Sequence, residues 1–137
     1  MLCDTSALLA AFDAAEHRHA DAVNAIEREP GPLVLSPFVL AEYDYMVASR
    51  LGVEAELVML DDVSSGAYEL VPFAGVDLDV AIGVVEQYRD LGIGLADASI
   101  VVLAERLGTR RIFTLDRRHF AAMRPLQGGE FELLPAA

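Results

Sequence analysis

A chain of 137 residues, 54% hydrophobic and 23% charged, has the length of one domain (residues 1–137) and can bury a core without disulfides or a structural metal, which excludes general disorder. Its formal net charge of −12 argues against nucleic-acid binding through a long-range field, unless some carboxylates face a cation or the surface suits a basic partner. One cysteine, Cys3, excludes an internal disulfide and points to a reducing, cytoplasmic setting.

Short β-type runs alternate with helical stretches, which predicts an α/β fold with a parallel sheet. Strand one is expected at residues 1–4, followed by helices at about 5–14 and 17–29, the second stopped by Pro30-Gly31-Pro32. Strand two is Leu33-Val34-Leu35. Ser36 reads as an N-cap with Pro37 at the first helical position, opening a helix that runs to Leu51 and ends at Gly52. A helix over about 53–65, a strand from Glu69 to Phe73 and a helix over about 77–91 follow. Residues 96–107 form a nearly all-apolar helix, expected to be buried, with Gly108 as its stop. Strand four is residues 111–115, a short helix follows Asp116, and the last strand is about 130–134. No apolar run approaches the roughly 20 residues of a membrane span, and an acid at position 4 argues against a signal peptide. No membrane association is expected.

All ten basic residues are arginine. The absence of lysine excludes Schiff-base chemistry and a P-loop. Five of the ten (Arg110, Arg111, Arg117, Arg118, Arg124) fall within residues 110–124, and guanidinium forks match phosphate geometry.

In open parallel sheets, ligands sit beyond the carboxyl ends of the strands, where strand order reverses. Asp4 ends strand one and Asp116 ends strand four. Each also has a structural excuse as a cap or turn residue, and Asp97 has the same excuse at the start of the buried helix. Glu42 is different. It lies four residues after Phe38 and four before Met46, on the apolar face, with no basic residue within four positions. A carboxylate there is costly unless paired or ligating a metal. Glu54, Glu56, Asp61, Asp62, Asp77, Asp79, Glu86 and Asp90 read as solvated faces. His17 and His19 show no ligand spacing, and His119 is expected to pack near Phe120, with contact to substrate as the alternative.

Four segments carry a family resemblance: Leu-Cys-Asp-Thr-Ser-Ala-Leu at 2–8, Ala-Glu-Tyr at 41–43, Leu-Ala-Asp-Ala-Ser-Ile at 95–100 and Phe-Thr-Leu-Asp-Arg-Arg-His-Phe at 113–120. Together they resemble a PIN domain of the VapC type, the toxin ribonuclease of VapBC toxin–antitoxin pairs. The resemblance spans essentially the whole chain. It implies a three-layer α/β/α sandwich around a mainly parallel sheet of four to five strands. It also implies an Mg²⁺-dependent endoribonuclease, with Mn²⁺ as a substitute, that hydrolyses RNA with a metal-activated water and leaves a 5′-phosphate. The family's four acids fall on Asp4, Glu42, Asp97 and Asp116. Asp4 and Asp97 are the expected metal ligands, while Glu42 and Asp116 orient water or help a second metal. Thr5 or Ser6 supplies the hydroxyl near the first acid, and Thr114 the hydroxyl that supports the fourth. Arg117 and Arg118 are candidates for flanking phosphates. The implied partners are RNA, a VapB-type antitoxin that docks into the acidic groove, and a second copy, with helices between 37 and 65 as the dimer surface.

Three other readings compete, one of them a nuclease of different role, such as rRNA processing or DNA cleavage, built on the same site residues. A phosphoacceptor receiver domain also carries acids at strand ends, but it requires a lysine, and strand three here ends in Phe73. A catalytically inactive PIN fold serving as a scaffold or binding protein is the alternative that leaves the four acids without chemistry.

Overall fold

The structure is a computed structural model describing residues 1–136. Five strands, β1 (Leu2–Cys3), β2 (Val34–Leu35), β3 (Glu69–Leu70), β4 (Arg111–Phe113) and β5 (Glu132–Leu134), form one sheet in the order β3-β2-β1-β4-β5. Every pairing is parallel, with Leu2 opposite both Val34 and Ile112. Parallel neighbours need crossover connections. Seven helices supply them: α1 (Thr5–Phe12), α2 (His19–Arg28), α3 (Pro37–Leu51), α4 (Val53–Ser64), α5 (Gly75–Gln87), α6 (Leu95–Leu107) and α7 (Arg117–Ala122). Helices on both faces complete the three-layer α/β/α arrangement expected from the resemblance.

The strands are shorter than their apolar runs suggest. Phe73 and Leu115 leave the ladder as the chain turns towards the next helix, both still packing on the core, while the Thr114 N–H continues to donate to the Leu134 carbonyl at 2.9 Å. Leu2, Leu35, Ile112 and Phe113 are fully buried, as expected for strands covered on both faces. Cys3 is buried too, and burial pushes its thiol up to about 12, so it acts as a small hydrophobe.

Helix α6 lies against β1, α3 and α5. Residues Ala98 to Ala104 are all buried, whereas Glu105, Arg106 and Leu107 are exposed, so burial is confined to the first three turns. Gly108 at φ 66° ends it in the left-handed region, where the Thr109 N–H returns to the Ala104 carbonyl at 3.0 Å. Ser36 caps α3 as expected, its side chain accepting from the Phe38 N–H at 3.2 Å. It does more: Ser99 donates to the Ala96 carbonyl, which leaves Ser36 to donate to Ser99 at 2.7 Å. This buried contact ties the start of α3 to the second turn of α6.

One acid read as solvated is not. Asp77 accepts the Ala74 N–H at 2.8 Å and pairs with Arg106 at 2.9 Å, with its side chain only 14% exposed. A carboxylate at the third position of α5 satisfies an otherwise orphaned backbone donor, which is also why the helix begins at Gly75 rather than at 77. Among the described residues, no helix is long and apolar enough to cross a membrane.

Candidate active site

The chain runs outward from β1 through β2 to β3 and returns on the other side of β1 as β4. The order therefore reverses between β1 and β4, where a crevice opens beyond the strand ends. Asp4 follows β1 and Asp116 follows β4 at this point. Glu42 reaches it from α3 and Asp97 from the first turn of α6. All four carboxylates line one cleft of about 310 Å³, together with Thr5, Ser6, Met46, Gly94, Ala96 and His119.

None of the three aspartates uses its side chain to cap the helix it precedes or begins. The structural excuse available to each from sequence thus fails. Asp4 is 4% exposed and its Oδ2 accepts two hydrogen bonds, from Thr114 at 2.7 Å and from Ser6 at 3.0 Å. Both hydroxyls in turn accept backbone N–H groups: Thr114 from Asp116 at 3.0 Å, and Ser6 from Leu115 at 3.0 Å. Five residues from two chain segments therefore lock the β1 and β4 ends together. Thr114 and Ser6 serve the first acid directly, and Thr114 reaches the fourth through its backbone.

Thr5 plays no such part. Its hydroxyl is buried at the cleft and has no hydrogen-bond partner. Burial raises the Asp4 carboxyl to about 6, and the neighbouring Asp97 charge adds to the effect against the opposing hydrogen bonds. Asp97, with its side chain 17% exposed, is also raised, chiefly by burial and then by Asp116 and Glu42, while its bond to His119 acts the other way.

The structure corrects the reasoning on Glu42. It is exposed, not buried; the inward face of α3 is Val39, Tyr43 and Val47, one position round the helix. Glu42 instead faces the cleft beside Met46, where its charge keeps contact with water. Asp116 is also largely solvated, its side chain 47% exposed.

Most of the arginine cluster has partners within the fold. Arg110 donates to the Gly128 carbonyl, Arg111 pairs with Glu29 and Glu132, Arg124 donates to the Ala121 carbonyl and Arg117 to the Pro135 carbonyl. Each is tied into the fold, and none lines the cleft. Arg118, which is exposed, sits beside it and contacts His119.

His119 is the residue that sequence reasoning misplaced. It packs on the acids, not on Phe120 alone: Nδ1 lies 2.7 Å from Asp97 Oδ2 and 3.7 Å from Asp116 Oδ2. The spacing of three residues from Asp116 at a helix start was the available signal, since such positions share a helix face.

Among the described residues, no group of three or more His, Cys, Asp or Glu side chains is placed to hold a metal ion by itself. The donor set suits a different kind of ion. Mg²⁺ typically keeps several waters and binds through one or two carboxylates. Asp97 is close enough to Asp4 for its charge to raise the Asp4 carboxyl, and the Thr5 hydroxyl beside them has no hydrogen-bond partner among the described residues.

A five-stranded parallel sheet with an acidic cleft at its switch point is the architecture of PIN domains, and this chain belongs to the PIN-domain family, whose profile matches residues 1–124. Within the family it groups with the VapC proteins. It is 51% identical over 135 residues to Ribonuclease VapC26 of Mycobacterium tuberculosis, covering 98% of this chain and 100% of that protein. Among solved structures it is similar to M. tuberculosis VapC20, described as a toxin cleaving the sarcin–ricin loop (TM-score 0.81, 19% identity, 88% of this chain and 93% of that one). It is also similar to VapBC2 of Rickettsia felis bound to a promoter DNA fragment (TM-score 0.70, 19% identity, 96% of each chain). At these identities the structural likeness is one of fold.

Proposed function

We propose that this protein is a divalent-metal-dependent endoribonuclease, the toxin of a type II toxin–antitoxin pair. The observation that carries the reading is the convergence of Asp4, Glu42, Asp97 and Asp116 from four separate elements on one cleft, with no arginine paired to any of them among the described residues. The 51% identity to a protein named as a ribonuclease supports the same reading.

Asp4 and Asp97 would hold Mg²⁺, or Mn²⁺ in its place, with the unpartnered Thr5 hydroxyl beside them free to bond water in the cleft. When bound, the ion supplies Lewis acidity, easing deprotonation of water and offsetting charge that develops on the phosphate. Glu42 and Asp116, the two solvated acids, accept hydrogen bonds from water entering the cleft and orient it for attack in line with the scissile bond. Ser6 and Thr114 keep Asp4 Oδ2 fixed during this sequence. Of the two arginines expected to meet phosphates, Arg118 stands next to the cleft and Arg117 is held by Pro135.

A cleft of carboxylates that no arginine of the described residues pairs with also suits an arginine presented by a VapB-type antitoxin, as the VapBC neighbour from Rickettsia felis suggests. Tyr45, Leu51, Val53, Leu57 and Val58 expose apolar surface on α3 and α4, which supports pairing of two copies there.

The test is cleavage of total RNA by purified, antitoxin-free protein, with and without Mg²⁺ or Mn²⁺, beside Asp97→Asn. Metal-dependent cuts bearing 5′-phosphates, absent from the variant, are expected. Equal cleavage by both proteins would overturn the assignment.

A further inference from the structure

The cleft wall carries a group that the four-acid reading leaves unused. His119 occupies the first turn of α7 with its side chain 15% exposed, and its two ring nitrogens have different partners. Nδ1 meets Asp97 Oδ2 at 2.7 Å, while Nε2 meets the Arg118 guanidinium at 3.2 Å. A guanidinium has only donors. Nε2 therefore accepts, and the ring hydrogen sits on Nδ1, from which it is donated to Asp97. The result is a directed chain from Arg118 through His119 to one oxygen of Asp97. Asp97 Oδ1 accepts no hydrogen bond among the described residues, so it is the oxygen left for a ligand in the cleft.

We infer that His119 is a positioning residue for Asp97: its Nδ1–H holds the carboxylate by one oxygen and presents the other to the divalent ion, with Arg118 setting the tautomer that makes this possible. The inference rests on the metal reading given above. Carboxylate ligands are commonly oriented by such outer hydrogen bonds, and removal of the outer partner weakens metal binding roughly 10- to 100-fold. The bond to His119 also works against burial at Asp97 by favouring the charged carboxylate that a cation needs.

Two substitutions separate orientation from packing. His119→Phe keeps the ring volume and removes the donor. His119→Asn loses volume but places an amide N–H near the position of Nδ1. The probe is Mn²⁺ alone, titrated into the full chain without RNA and followed by electron paramagnetic resonance of the free ion. Each variant is first melted without metal to confirm that it folds. His119→Phe is expected to weaken Mn²⁺ binding roughly 10- to 100-fold, with His119→Asn closer to wild type, and cleavage to fall in kcat more than in KM.

The reverse order, with Phe tolerated and Asn not, would mean that His119 only fills space. Equal affinity in all three proteins would overturn the role and leave the metal reading intact. A wild-type chain that binds no Mn²⁺ would sink the metal reading and this role with it. Should His119→Phe fail to fold, the tautomer decides. Ring ¹⁵N shifts in metal-free wild type should show hydrogen on Nδ1, and exposed Arg118→Met should mix the two forms. A wild-type ring protonated on Nε2 instead would refute the chain of bonds.

Discussion

The two ends of the sheet handle charge in opposite ways. At the amino end of β4, Arg111 lies between Glu29 and Glu132, at 3.2 and 2.9 Å, and the Gly31 N–H together with this guanidinium holds the Glu29 carboxyl below the usual range against its burial. At the carboxyl ends of β1 and β4, four acids share a cleft with a single histidine and no arginine pairs with them among the described residues. Paired charge adds modest stability and no chemistry, whereas crowded carboxylates without an arginine, two of them partly buried, store unfavourable interaction that a cation would relieve. The difference separates structure from function in a chain whose net charge alone argues against a nuclease.

The comparison can be broken by removing charge from either end. The largest effect belongs to Asp97→Asn, which should cut RNA cleavage on the order of 10²- to 10³-fold, as loss of one electrostatic contributor typically does. It should leave the melting temperature near wild type, and single-turnover kinetics would measure the loss.

Next comes the pH dependence of Asp4. The folded chain holds this proton more tightly than the unfolded chain, because burial raises the carboxyl to about 6. Metal-free protein should therefore lose stability as pH rises from about 4 to 6 and not regain it above, by an amount on the order of 2–3 kcal/mol. Asp4→Asn removes that loss, so the apo variant should melt above wild type at pH 8 and match it at pH 4. Added Mg²⁺ should raise the wild-type melting temperature and leave Asp4→Asn unmoved.

A smaller effect is expected at the opposite end. Arg111→Gln leaves two carboxylates facing each other and should destabilise by roughly 1 kcal/mol, with cleavage per folded molecule unchanged. Smallest is Ser36→Ala, which removes the cap of α3 and its tie to Ser99. A cost of about 1 kcal/mol or less by chemical denaturation is expected, with a slight drop in kcat because α3 carries Glu42 and α6 carries Asp97.

Much of this was legible in the sequence. Ser36-Pro37 announces α3, Gly108 closes α6, and continuous apolar runs at β1, β2 and β4 betray strands buried on both faces. The four acids follow from their motifs, and two of them from their place at strand ends. Other features depend on which neighbour a side chain finds in space. Glu42 falls one position away from the buried stripe of α3, a rotation too small for residue spacing to resolve. Asp77 looks solvated until Arg106, 29 residues away, is brought alongside it. Arg117 is drawn off by a carbonyl near the chain's end, and His119 is drawn onto Asp97 from 22 residues away. Long-range pairing of polar groups leaves no periodic trace, so these partnerships had to come from the coordinates.

The convergence of the acids on one ion is tested most directly by anomalous diffraction from crystals grown with MnCl₂. A manganese peak bridged by the carboxylates of Asp4 and Asp97, with Glu42 and Asp116 reaching its waters, is the expected result. Manganese bound elsewhere, or a cleft that stays empty at saturating MnCl₂ with both carboxylates ordered, would contradict it.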